Sequence, residues 1–357
     1  MTMGGTPPRR RSAAGRGRSL RPPAPSPPAR AFRVGRALRR VAGWSGWTQL
    51  TALATTIAAV GALWFTNQSL HATDNQYALS QQVAVTDRFQ KAVEQLADDD
   101  KPDVRLAGIY LLERLAKDSP QDQETIFAVL SAFLRIHTKA SACESQNPIP
   151  VDVQAVLTVA GRRNVNQERD GTDSSLDFRQ TCLARADLTH ADLTWADLTG
   201  ADLTGANLNS AHLNSAHLTG AHLTGAHLNG ANLNSANLFG ADLLGARLFG
   251  ADLLGARLFG ADLTIADLTR ANLNSANLNG ANLNGANLTG AHLTGAHLTG
   301  AHLNGAHLTR ADLTRADLTR ANLTDADLTG ANLKDIYYDS DTRWPVAFTP
   351  PPSRTER

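Results

Sequence analysis

The sequence predicts a β-solenoid preceded by a transmembrane helix and a small α-helical bundle. Three observations carry that expectation. From Ala186 to Asp335 the chain repeats every five residues without a break, thirty copies of Ala-(Asp/Asn/His/Arg)-Leu-x-x. From Trp47 to Phe65 it is mostly apolar, with no Lys, Arg, Asp or Glu between Arg40 and Asp74. Between these stretches, apolar residues recur at helical spacing. The fixed internal period is read first, because it specifies a stacked architecture by itself.

Residues 1–43 form a basic tail rich in Pro and Arg. Arg9, Arg10, Arg11, Arg16, Arg18, Arg21, Arg30, Arg33, Arg36, Arg39 and Arg40 lie in it, with no Asp or Glu. Such a composition buries too little apolar surface to offset its ordering entropy, so disorder is expected. Its arginines could contact nucleic acid or anionic lipid; the plainer reading is a solvated tail that sets membrane orientation.

Residues 44–67 are expected to span a membrane as one helix, since about twenty apolar residues match a bilayer's thickness. Trp44 and Trp47 at one end, with Trp64 and Phe65 at the other, resemble an aromatic belt. A signal peptide and a buried soluble helix are the rival readings. Arginines before the span and few basic residues behind it predict a cytoplasmic N-terminus, hence repeats outside the cytoplasm.

Residues 75–163 are expected to be an α-helical domain. Val83, Val85, Phe89, Ala92, Val93 and Leu96 mark one helix, ending before Asp98-Asp99-Asp100. Val104, Ala107, Leu111, Leu112 and Leu115 mark a second, with Gly108 on the same stripe where it would let a neighbouring helix approach. Pro120 ends it. Ile126, Val129, Leu130, Phe133 and Leu134 mark a third, and Val151 leads a shorter fourth towards Arg163. Glu113, Arg114 and Lys117 read as a solvated face. The two cysteines, Cys143 and Cys182, are not in a C-x-x-C pair, which argues against a disulfide framework or a structural zinc site.

Period five fits neither a straight helix nor a straight strand. A helix would leave about 140° of mismatch per repeat, so the leucines would spiral round every face. A strand would point leucines five apart to opposite sides. Both conflicts vanish if the chain turns once per pentad, with Ala and Leu inward and Gly at the last position supplying a permissive turn. The Ala-(Asp/Asn)-Leu-x-x pattern over 150 residues resembles the pentapeptide-repeat family. That resemblance implies a right-handed quadrilateral β-helix over 176–335, four pentads to a coil, its thirty regular pentads giving between seven and eight coils and a rod of about 35 Å. The preceding helical segment resembles one found before the repeats of some membrane-anchored members. Residues 336–357 are expected to cap the last coil with Ile336, Tyr337, Tyr338 and Trp344, and then to continue from Pro350 as a loose tail.

Function on such a rod resides in the outward positions. His212, His217, His222 and His227, then His292, His297, His302 and His307, precede Leu in two blocks. Neighbours five apart diverge on a square coil and no two histidines fall twenty apart, so converging metal ligands are not expected. The residue after Leu is Thr or Asn almost everywhere, but Phe239, Leu244, Phe249, Leu254 and Phe259 occupy it in succession. They form a candidate belt for binding a protein partner or for self-association.

Formal net charge is +1, and the outward aspartates are diluted by Asn, His and Arg. DNA mimicry, a role of some members of the family, needs denser acid, so binding a DNA-handling enzyme such as a topoisomerase is the alternative reading. Direct nucleic-acid binding by the rod is not expected either. No catalytic motif stands in a matching context, no cofactor is implied, and a filled coil offers no substrate pocket. The sequence therefore reads as a non-enzymatic, membrane-anchored scaffold that presents a rod to an unknown protein partner or to itself.

Overall fold

A computed structural model of the chain describes residues 76–140, 143, 149–163 and 176–354. In order they form α1 (Gln76–Leu96), α2 (Pro102–Asp118), a 3-10 turn (Pro120–Asp122), α3 (Gln123–His137), α4 (Val151–Gly161) and a right-handed β-solenoid from Leu176 onward.

The helices pack through the stripes their sequences carry. α1 buries Phe89, Ala92, Val93 and Leu96; α2 buries Ile109, Leu112, Leu115 and Ala116. Gly108 stands at the α1–α2 contact, where an added Cβ would lie 2.7 Å from the Ala92 carbonyl oxygen. Pro102 opens α2, where its missing N–H costs nothing. Arg105 bonds Asp152 at 2.6 Å and also donates to the carbonyls of Asp98 and Asp99, tying the starts of α2 and α4 together. α4 is buried almost all round because it lies between the other helices and the first coil.

In the solenoid, residue n bridges residue n+20 in parallel, so four pentads make one coil and four columns make four faces. Along the bridged positions, the first face carries Asp197, His217, Asn237, Arg257 and Asn277, and the second Asp202, His222, Asp242, Asp262 and Asn282. The third carries Asn207, His227, Arg247 and Asp267, and the fourth His212, Asn232, Asp252 and Asn272. Inside, the repeated Ala and Leu are essentially inaccessible. Each buried Leu contributes about 1.5–3 kcal/mol of burial.

One pentad shows where the backbone donors go. Ala261 N–H closes a turn onto Leu258, while Asp262, Leu263 and Ile265 donate to neighbouring coils at 2.7–2.9 Å. The fifth, Thr264 N–H, has no backbone acceptor and donates to the Asp262 carboxylate at 2.9 Å. That local acceptor is the physical reason for Asp or Asn before Leu. Where His or Arg stands there, Asn one coil earlier can take over: Thr294, Thr299 and Asn304 donate to Asn274, Asn279 and Asn284 at 2.8, 2.9 and 3.0 Å.

The helical segment covers the edge of the first coil, which would otherwise be a template for another strand. Cys182 donates to Thr138 at 2.7 Å and Ala140 to Gln180 at 2.8 Å, an antiparallel pairing on the second face. The Gln154 amide serves both backbone groups of Asp187, at 2.7 and 2.9 Å, on the third. Asp192 donates to Gly161 at 2.9 Å, and the Arg163 guanidinium holds the carbonyls of Asp192 and Thr194, on the fourth. On the first face Asp177 receives Arg135 at 2.7 Å.

At the far end the column pairing continues through Tyr337, then shifts by one residue to Arg343. Tyr338, Trp344 and Phe348 pack in sequence, with ring centroids 5.3 and 5.5 Å apart. Pro350 does not begin a loose tail. Arg354 donates to Ile336 at 2.8 Å and Tyr338 Oη to the Pro351 carbonyl at 2.9 Å, so this strap folds back over the last coil.

Two further expectations change. Cys143 and Cys182 form a disulfide, with Cα atoms 5.2 Å apart, joining the segment after α3 to the first coil. Their separation of 39 residues carried no local signal; the fold alone brings them together. The expected tail 1–43 and span 44–67 lie outside the described residues. Among the described residues no helix is long and apolar enough to cross a membrane. The expectation of a single-pass membrane protein with its repeats outside the cytoplasm is corrected on that finding.

Candidate protein-binding belt

The belt residues stand at the corners between faces, because the position after Leu begins the turn. Phe239 and Phe259 follow the first face, Leu244 the second, Phe249 the third and Leu254 the fourth. Phe239 and Phe259 stack at 5.5 Å between centroids with planes 6° apart, one coil step as their spacing of twenty requires. Their exposures run from 37 % for Leu244 to 51 % for Phe239, so each keeps a large share of its apolar surface in water.

Ile265 belongs with them and was not among the residues singled out from the sequence. It is 63 % exposed and occupies the last position of its pentad, one coil beyond Leu244 at the same corner. Its φ is +52°, a left-handed conformation that a β-branched side chain adopts at a cost. The available signal was chemical: no other pentad of the uninterrupted run ends in a β-branched residue. A shallow cleft of about 620 Å³ lies on the third face, lined by Asn229, Gly245, Arg247, Phe249, Ile265 and Asp267.

Each block of histidines makes one complete coil, one imidazole per face. Their bridged neighbours are Asp, Asn or Arg, never another histidine. Among the described residues no group of His, Cys, Asp and Glu could hold a metal ion. The carboxyls of Asp312 and Asp327 are held below the usual range, chiefly by the hydroxyls of Thr314 and Thr329, with smaller attractions from His292 and His307.

The ladder contains two pairs of directly bridged aspartates, Asp177–Asp197 and Asp242–Asp262. The first pair is served by its own chain: Arg179 reaches Asp177 at 2.8 Å and Asp197 at 3.4 Å, and Arg135 reaches Asp177 at 2.7 Å. Burial pushes the Asp177 carboxyl up, but the hydrogen bonds and charges of Arg179 and the charge of Arg135 outweigh it and hold the group low. At Asp242–Asp262 the contacts are with Thr224, Leu244 and Thr264, and among the described residues no cation takes part.

The model for pentapeptide repeats matches the chain in eight copies, over 174–210, 206–243, 216–255, 226–264, 266–305 and 296–335. The chain belongs to the pentapeptide-repeat family. As such a repeat protein it is similar to HetL, involved in heterocyst differentiation regulation in the cyanobacterium Nostoc sp. strain PCC 7120. That match has 41 % identity, covers 46 % of this chain and 77 % of HetL, and has a TM-score of 0.29. A pentapeptide repeat protein of the Arabidopsis thaliana thylakoid lumen shares 37 % identity over 27 % of this chain and 64 % of its own, with a TM-score of 0.22. QnrB1, a plasmid-mediated fluoroquinolone resistance protein, shares 19 % over 43 % and 87 %, with a TM-score of 0.28. No curated protein matches the chain.

Proposed function

We propose that this pentapeptide-repeat protein is a non-enzymatic rod that binds protein through the belt of Phe239, Leu244, Phe249, Leu254, Phe259 and Ile265. The carrying observation is the replacement of Thr or Asn by exposed apolar side chains at five successive corners. The core gains little from them, since the inward Ala and Leu already fill each coil. Exposed apolar residues in one contiguous group mark a contact surface. Half-exposed phenylalanines of this size each bring about 2–3 kcal/mol of apolar burial to a complex. Arg247 and Arg257 put positive charge on two of the faces at the belt, which favours an apolar contact over imitation of a polyanion.

The test replaces Phe239, Phe249 and Phe259 together with Thr, the residue common at these corners. The far-ultraviolet circular dichroism and melting temperature are expected to persist, while self-association and capture of protein partners are lost. Unchanged sedimentation together with unchanged captured proteins would remove the belt from consideration.

A further inference from the structure

We infer that the belt's occupant is a second copy of this chain, laid alongside in register, the first face of one rod on the second face of the next. This rests on the belt being a protein-contact surface. Charge alternation around the belt favours a copy over an unrelated partner. The first and third faces present Arg257 and Arg247, while the second and fourth present Asp242, Asp262 and Asp252. A quarter turn about the rod axis therefore sets a basic face against an acidic one.

The first and second faces fit best. Asp242 and Asp262 lie side by side, and like charges directly opposed in a ladder are destabilising. Where the other such pair occurs, at Asp177–Asp197, Arg179 bridges it from within the chain. Here the missing guanidinium is Arg257 of the neighbouring copy. On its own face Arg257 stands between Asn237 and Asn277, with no carboxylate above or below it. The third face is the poorer match, because Arg247 already has Asp267 beside it in its own column.

Heights along the rod agree. A coil of twenty residues rises by about 4.8 Å, or about 0.24 Å per residue. In register, Arg257 of one copy falls between Asp242 and Asp262 of the next, about 3.6 and 1.2 Å away along the axis. Leu254 bounds the first face on its far side and falls about 2.4 Å from Leu244 and about 2.6 Å from Ile265, which bound the second, so it enters the gap between them. The corner shared by both faces carries the stacked Phe239 and Phe259, which meet their counterparts at the centre. Ile265, strained and exposed in one chain, becomes a wall of this contact. Adjacent faces meet at a right angle, so successive copies close on themselves at four. Phe249 lies at the corner outside this contact.

Sedimentation velocity on the full-length chain across concentration tests this. The expected result is association rising to four chains, weakened at least about tenfold by Arg257→Asp. Combining Arg257→Asp with Asp262→Arg reverses the charges and should restore it, with melting temperature checked for every variant. A wild-type chain that stays monomeric, or association indifferent to Arg257→Asp, overturns the inference. If the chain is monomeric while the triple Phe→Thr variant loses captured proteins, the self-association inference falls and the belt reading stands. If that variant loses nothing, both fall.

Discussion

The backbone accounting of the pentad makes a quantitative prediction at Asn279. Thr299 N–H lies beside His297, whose side chain stands where other pentads have an acceptor, and it donates instead to Asn279 Oδ1 at 2.9 Å. Asn279→Ala leaves that part-buried donor without a protein partner. A neutral hydrogen bond of this kind is worth about 1 kcal/mol net, within about 0.5–1.5. His297→Asp installs a local carboxylate in the arrangement seen at Asp262 and Thr264. In that background Asn279→Ala should cost nearly nothing, giving a double-mutant coupling of about 1 kcal/mol. Urea denaturation reads the cost, and amide hydrogen exchange at Thr299 should quicken about fivefold in the single variant, the equivalent of that energy. Equal costs in both backgrounds would refute the acceptor-relay explanation of how histidine is accommodated before leucine.

Two further predictions concern the junction of the helices with the first coil. Reducing Cys143–Cys182, or Cys143→Ser, should destabilise the chain by up to about 4 kcal/mol for a closed loop of 39 residues, read as a fall in melting temperature with reductant. Asp177 has a lowered carboxyl pKa in the folded chain, so its contribution is present above the ordinary carboxylate value and is lost as pH falls through the lowered one. Asp177→Asn should therefore reduce stability at neutral pH and flatten the acid limb of the stability profile below about pH 4, measured by denaturation across pH.

The solenoid was legible because its determinants are local and repeated. Ala and Leu recur at inward positions, and the resemblance to pentapeptide repeats implies four pentads to a coil, the period of twenty that sets Phe239 over Phe259. Much of the rest depends on meetings between distant segments. Gln154 imitates a strand for Asp187 across 33 residues, and Cys143 finds Cys182 across 39; neither residue type advertises that role in its own neighbourhood. Ile265 escaped for a different reason. A turn position normally filled by Gly was read as backbone, while the side chain placed there was the informative feature. The strap at Pro350–Arg354 likewise resembled a tail by composition and is ordered by contacts with Tyr337 and Tyr338.

Four pentads per coil give this rod a rotational phase. Removing or adding one pentad between the helical segment and the aromatic cap would turn the two ends by a quarter revolution relative to each other, while four pentads would change length alone. Phe239–Arg247 and its identical copy Phe249–Arg257, ten residues on, thus point to opposite sides, half a coil apart in height. A short duplication in such a chain works like indexing a gear: it carries the same chemistry to a new azimuth without disturbing the core. The alternation of basic and acidic faces around the belt follows from that step.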